Sequence, residues 1–192
     1  MEAPYLSTPR FVVRPSGTDD AGAAAAWLPL PFPIGRERGE ATLREANAAP
    51  WGHQDPLDLL VCRRRDGVVL GAFRLTGVAG RTGTCRLTVG PAVAPDEGDA
   101  IRGDLIPVII GWMRDELDLM TVGLWLPSDD DRSIAAAESA GMTSAVRLRE
   151  HVARPGGRVD LLRYEILGRP WTVPAADDRP TGESRGEVRG DG

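Results

Sequence analysis

The sequence contains no lysine; all 23 of its basic side chains are arginine. That absence excludes Schiff-base lysines, P-loop lysines and low-pKa amine bases, because a guanidinium stays protonated across the accessible pH range. Cysteine is almost as scarce, with only Cys62 and Cys85, each inside an apolar stretch and neither with a second Cys or a His at zinc spacing. A secreted disulfide scaffold and a Cys/His metal site are therefore not expected, and the two residues read as buried free thiols of a cytoplasmic protein. The first ten residues lack the basic segment and continuous apolar segment of a secretory signal, and no apolar run suits a membrane span.

What is present fits one globular domain. A length of 192 residues lies within the usual range for a single unit, and 42% hydrophobic with 27% charged residues argues against a disordered chain. The balance of 28 acidic against 23 basic residues, a net charge of −5, disfavours nucleic-acid binding and slightly favours a cationic partner such as an amine. Arg63-Arg64-Arg65, just before Asp66-Gly67, reads as a solvated strand end. Residues 172–192 carry almost no apolar mass and read as a disordered tail, which leaves 1–171 as the domain.

Phe11-Val12-Val13 reads as a first strand, and Thr18-Asp19-Asp20 can cap an alanine-rich helix to about Trp27. Prolines 29, 31 and 33 then break the chain before a polar helix over about 35–48. Leu57 to Cys62 and Val68 to Leu75 form a hairpin turning at Asp66-Gly67, with a third antiparallel strand at 83–93. The spacing of Ile101, Leu105, Ile109 and Met113 predicts a helix over 101–119, kinked at Pro107. A strand at 121–126, a helix from Asp130 or Asp131 to Ala140 stopped by Gly141, and a hairpin of 145–152 with 158–167 complete an α/β pattern with one mostly antiparallel sheet.

Five motifs occur in order along this pattern. They are Thr8-Pro-Arg-Phe-Val-Val-Arg14-Pro15 followed by Asp20-Ala21; Asp66-Gly67 to Gly71; Asp130-Asp131-Arg132-Ser133-Ile134; Gly141-Met142; and Gly157, Asp160 and Tyr164. Together they resemble the GNAT superfamily of acyl-CoA-dependent N-acyltransferases, nearest to the branch that acetylates ribosomal-protein N-termini. The resemblance implies a GNAT fold, a mixed, mostly antiparallel sheet of six to seven strands flanked by about four helices. It also implies acetyl-CoA as co-substrate, no metal, and a small-molecule or peptide amine as acceptor, attacked directly in a ternary complex. The oligomeric state stays open, a homodimer included.

By the same resemblance, Pro95-Asp96-Glu97-Gly98-Asp99-Ala100 stands where the pyrophosphate loop lies. Val93, Gly98, Asp99, Ala100, Arg102 and Gly103 are then the coenzyme-binding residues, through anion binding at a helix start. Asp96, Glu97 and Asp99 would repel a diphosphate, with Arg102 alone to offset them. Thr88 occupies the place of the family's fourth-strand glutamate base, and a hydroxyl cannot do that work. Pro91 removes an N–H from the same strand and suggests a bulge or an edge there.

Two candidates remain for catalysis. Ser133 is either proton donor to the leaving thiolate or a capping serine. Glu150 alternates with Val146, Leu148 and Val152, which puts it on an apolar face, where desolvation would raise its pKa toward that of a base; a salt bridge to Arg163 is the alternative. By the same resemblance, His53 lies in a loop where acceptors enter such clefts, as a base or as an ordinary surface residue, and Arg36 to Arg44 lies on the helix that walls the acceptor site or is an ordinary charged helix face. The chain thus reads as an N-acetyltransferase or as a catalytically degenerate binding or regulatory protein of that fold.

Overall fold

The Asp66-Gly67 turn forms as expected, with Gly67 at φ +72° and its N–H donating to Arg63 O at 2.8 Å. A left-handed residue at this point is what the sequence supplied a glycine for. The turn joins β3 (Leu57–Arg63) to β4 (Val69–Thr76), and β5 (Thr82–Val89) follows antiparallel to β4. This computed structural model describes residues 5–23, 37–38, 40–41 and 56–168. Of the helix expected at 35–48, residues 37–38 and 40–41 are helical; its other residues, His53 and the 172–192 tail lie outside the described residues.

The remaining strands are β1 (Leu6–Ser7), β2 (Phe11–Pro15), β6 (Thr121–Pro127), β7 (Thr143–Arg154) and β8 (Gly157–Leu167). Among the described residues, the strands build one eight-stranded sheet in the order β1-β2-β3-β4-β5-β6-β8-β7. Only β5 with β6 is parallel; all other neighbours are antiparallel. The sheet is thus two antiparallel halves, β1–β5 and β6–β8–β7, joined by a single parallel seam.

Among the described residues, α1 (Pro95–Asp115) and α2 (Asp131–Ser139) cover one face, and a 3-10 turn spans Thr18–Ala23. The stripe Ile101, Leu105, Ile109 and Met113 is fully buried, as its spacing predicts, against Phe73, Leu75, Val122 and Leu124. Burying each such side chain contributes about 1.5–3 kcal/mol, which fixes α1 on the sheet. The helix starts earlier and ends earlier than the expected 101–119. Pro95 is well suited to the first helical position, where its missing N–H costs nothing. The helix also continues past Pro107 to Asp115. No helix among the described residues is long and apolar enough to cross a membrane.

Candidate functional site

The parallel seam is short. Pairing between β5 and β6 runs from Thr82↔Thr121 to Cys85↔Leu124 and stops, while β5 continues to Val89 and β6 to Pro127. Beyond Cys85, β5 stays paired to β4 as far as Gly71↔Val89, and β6 stays paired to β8 as far as Pro127↔Leu161. The two halves of the sheet therefore part between Arg86–Val89 and Trp125–Pro127, opening a wedge in the middle of the fold.

Side-chain alternation gives this wedge two different faces. Cys85, Leu87, Leu124 and Leu126 turn toward the core beneath α1 and α2. Arg86, Thr88, Trp125 and Pro127 turn to the opposite face. Behind Thr88, Gly71 is required: a Cβ there would stand 2.1 Å from Thr88 O. Cys85, in the last rung of the seam, has its thiol pushed up to about 12 by burial, so it is an inert packing residue.

Above the wedge the chain turns through Gly90–Ala94 into α1. Val93 N–H donates to Gly90 O at 3.1 Å. Pro91 lies in this turn and is exposed, after the strand has ended at Val89. It therefore removes no ladder hydrogen bond, which corrects both the strand limit of Val93 and the expected bulge. The pyrophosphate motif is likewise helical from its first residue. Gly98 N–H donates to Ala94 O at 2.9 Å, and Asp99 and Ala100 follow within the helix. Pro95 has no N–H, so Asp96 and Glu97 carry the free amides of the first turn.

The charges here are arranged differently from the sequence expectation. Arg63 grips Glu97 through Nε–Oε1 at 2.6 Å and Nη2–Oε2 at 2.7 Å, and also reaches Asp66 at 2.9 Å. The Arg63 guanidinium holds the Glu97 carboxyl below the usual range, against a smaller opposing effect of burial. Arg102 is thus not the sole counter-charge. Its own guanidinium is shared at 3.4 Å with Asp99 and at 3.4 Å with Asp130, the N-cap of α2, and it lies over Gly98. A Cβ at Gly98 would stand 3.0 Å from Arg102 Nη1.

Arg132, which the Asp130–Ile134 motif includes without a role, crosses from α2 to donate to Asp99 O at 3.3 Å. It lies over Gly103, where a Cβ would stand 2.2 Å from Nη2. Gly103 thus serves helix–helix packing.

Ser133 is 3% exposed, its Oγ donates to Asp130 Oδ2 at 2.8 Å, and its N–H donates to Asp130 Oδ1 at 3.1 Å. Asp130 is the cap here, and Ser133, two residues into the helix, gives it both hydrogen bonds. Through Asp130 it supports Arg102. Glu150 does not join this group. Residues 149–151 of β7 bulge opposite Asp160 alone, so the alternation that put Glu150 on an apolar face is broken. Glu150 is exposed at φ +48°, its N–H donates to Asp160 Oδ1 at 2.8 Å, and it belongs to the edge strand rather than to the wedge. Arg163, the suggested partner, bonds Glu165 instead and lies over the Trp125 ring at 5.3 Å.

No family model and no curated protein matches the chain. Solved structures do. A protein of Sphaerobacter thermophilus DSM 20745 classed as an acetyltransferase is 33% identical, with a TM-score of 0.65 over 87% of this chain and 99% of that one. A GNAT-family acetyltransferase of Bacillus anthracis aligns at 13% identity and a TM-score of 0.61, over 84% of this chain and 97% of that one. The spermidine/spermine N-acetyltransferase of Vibrio cholerae, solved with manganese ions, aligns at 13% identity and a TM-score of 0.63, over 82% and 92%. With its parted parallel seam and this similarity over nearly its whole described length, the chain belongs to the GNAT acetyltransferases.

Proposed function

We propose that the protein transfers the acetyl group of acetyl-CoA to a primary amine, by direct attack within a ternary complex. The observation that carries this reading is the wedge beyond Cys85↔Leu124, which opens beneath the start of α1. Among the described residues the β5 edge from Arg86 to Val89 has no strand partner on that side, and it suits an extended pantetheine arm. The free amides of Asp96 and Glu97 and the loosely held guanidinium of Arg102 suit its diphosphate, with Gly98 leaving room for Arg102. Ser133 is a positioning residue: its hydroxyl donates to the carboxylate of Asp130, the N-cap of α2, and orients Asp130 against Arg102.

The chemistry at the amine follows from Thr88. A threonine hydroxyl does not accept an amine's proton at neutral pH, so the acceptor must arrive with part of its population already neutral. An α-amino group of a peptide, with a pKa of about 7.7–8.0, meets that condition far better than a lysine or polyamine nitrogen near about 10.4. A protein or peptide N-terminus is therefore the favoured acceptor. The new C–N bond forms as the thioester C–S bond breaks; the amine's proton passes to solvent, and the departing coenzyme A thiolate takes one up to leave as the thiol.

The same hydroxyl supports a second reading, a protein that binds the thioester without turning it over. Calorimetric titration with acetyl-CoA, followed by a thiol-release assay with peptide amines, separates the possibilities. Binding and peptide-dependent thiol release are expected. Binding without release favours the second reading, and absence of heat at millimolar acetyl-CoA overturns both.

A further inference from the structure

One row of residues crosses the sheet on the face away from α1 and α2, at the level where the seam ends. Register gives Asp58↔Arg74 from β3 to β4, Arg74↔Arg86 from β4 to β5 and Trp125↔Arg163 from β6 to β8. Because the last paired rung is Cys85↔Leu124, the next rung up would set Arg86 against Trp125. These two residues form the opposite lips of the wedge on this face.

The three arginines of the row are not equivalent. Arg74 is held by Asp58 through two hydrogen bonds, at 2.6 and 2.8 Å. Arg163 is bonded to Glu165 and covers Trp125. Arg86 is exposed and, among the described residues, has neither a hydrogen bond nor an ion pair. Directly opposite like charges on adjacent strands repel, and Asp58 relieves this on one side only, drawing Arg74 away and leaving the Arg86 charge uncompensated. Thr88 lies on the same strand face, one step further along β5. An amine approaching Thr88 between the lips thus passes an unpaired guanidinium beside an aromatic edge, on a protein whose overall charge is negative.

We infer that Arg86 is a specificity residue, and that the acceptor is a peptide N-terminus with an acidic side chain close behind it, whose carboxylate pairs with Arg86. This rests on the acetyl-transfer reading above. A guanidinium repels a polyamine and attracts a carboxylate, with two parallel N–H donors available to it. The local charge therefore reverses what the net charge of the chain suggested.

The test uses the full chain with acetyl-CoA and measures thiol release with the peptide amides Ser-Glu-Ala, Ser-Ala-Ala and Ser-Arg-Ala, with spermidine and with free glutamate. The acidic peptide is expected to have a kcat/KM about tenfold above the neutral one, the scale of a charge-assisted hydrogen bond, with the basic peptide and spermidine lowest. Arg86→Gln should abolish the difference through KM, and Arg86→Glu should invert the order. Equal rates for the three peptides, a preference for spermidine or free glutamate, or an unchanged ratio in Arg86→Gln overturns the inference. Failure of acetyl-CoA to bind overturns the underlying reading instead, so the two failures are distinct.

Discussion

Arg63 and Glu97 are joined by two short hydrogen bonds between β3 and the first turn of α1, although 34 residues separate them in sequence. The pair ties the β3–β4 hairpin to the helix start. It also removes one carboxylate charge from the place where a diphosphate would bind.

Releasing that charge should weaken coenzyme binding, and neutralising it should help. Arg63→Gln is expected to raise the acetyl-CoA dissociation constant about fivefold at low salt, and Glu97→Gln to lower it by a similar factor. The double variant should return close to the parent. Calorimetry at low and high salt checks this, because the effects of such half-buried charges near the surface shrink as salt screens them. Equal affinities for all four proteins would show that the pair does not act on the ligand.

Two glycines should respond in opposite directions to the same substitution. Gly71→Ala forces a Cβ against Thr88 O, a backbone atom that cannot move without parting β4 from β5. A loss of about 1–3 kcal/mol is expected, as for other overpacked sites. Gly111→Ala, inside α1 with nothing within 4 Å of the new Cβ, should gain about 0.5–1 kcal/mol from helix propensity. Denaturant midpoints of the two variants should fall on either side of the parent.

Acid should destabilise the protein partly through Asp20. Burial pushes its carboxyl up, but the Arg14 guanidinium, at 2.7 and 2.8 Å, and the Gly17 N–H outweigh burial and hold it below the usual range. With a folded pKa below the unfolded value of about 3.9, this contribution is fully present above that pH. It fades as pH falls through the folded pKa. Melting temperatures of the parent and Asp20→Asn between neutral pH and pH 3 should therefore converge on acidification; parallel curves would exclude the linkage.

Local signals in the sequence carried most of the fold. Asp66-Gly67 set its hairpin, the four-residue spacing from Ile101 to Met113 gave α1 its buried stripe, and Asp130 and Gly141 bounded α2. The start of α1 was missed because Pro95 was read as loop, although proline is at home at a first helical position. Glu150 was misplaced because alternation assumes an unbroken ladder, and the extra residues opposite Asp160 shift everything between Leu148 and Val152. The electrostatics of the site were the least legible part. Whether Glu97 is neutralised and Arg86 left free depends on which strands become neighbours, and no local pattern encodes that.

The four-rung seam between β5 and β6 also bears on how the protein folds. The halves pair through tight hairpins and, for β2 with β3 and β6 with β8, across long connections as well, but the seam joins segments separated by the whole of α1 through only four rungs. Closing so long a loop for so few rungs carries an entropic cost that only the packed helix offsets. The amides of Thr82–Cys85 should therefore be among the last in the sheet to gain hydrogen-exchange protection during refolding. Substitutions that loosen α1 would then slow the appearance of a working cleft more than they slow the formation of either half.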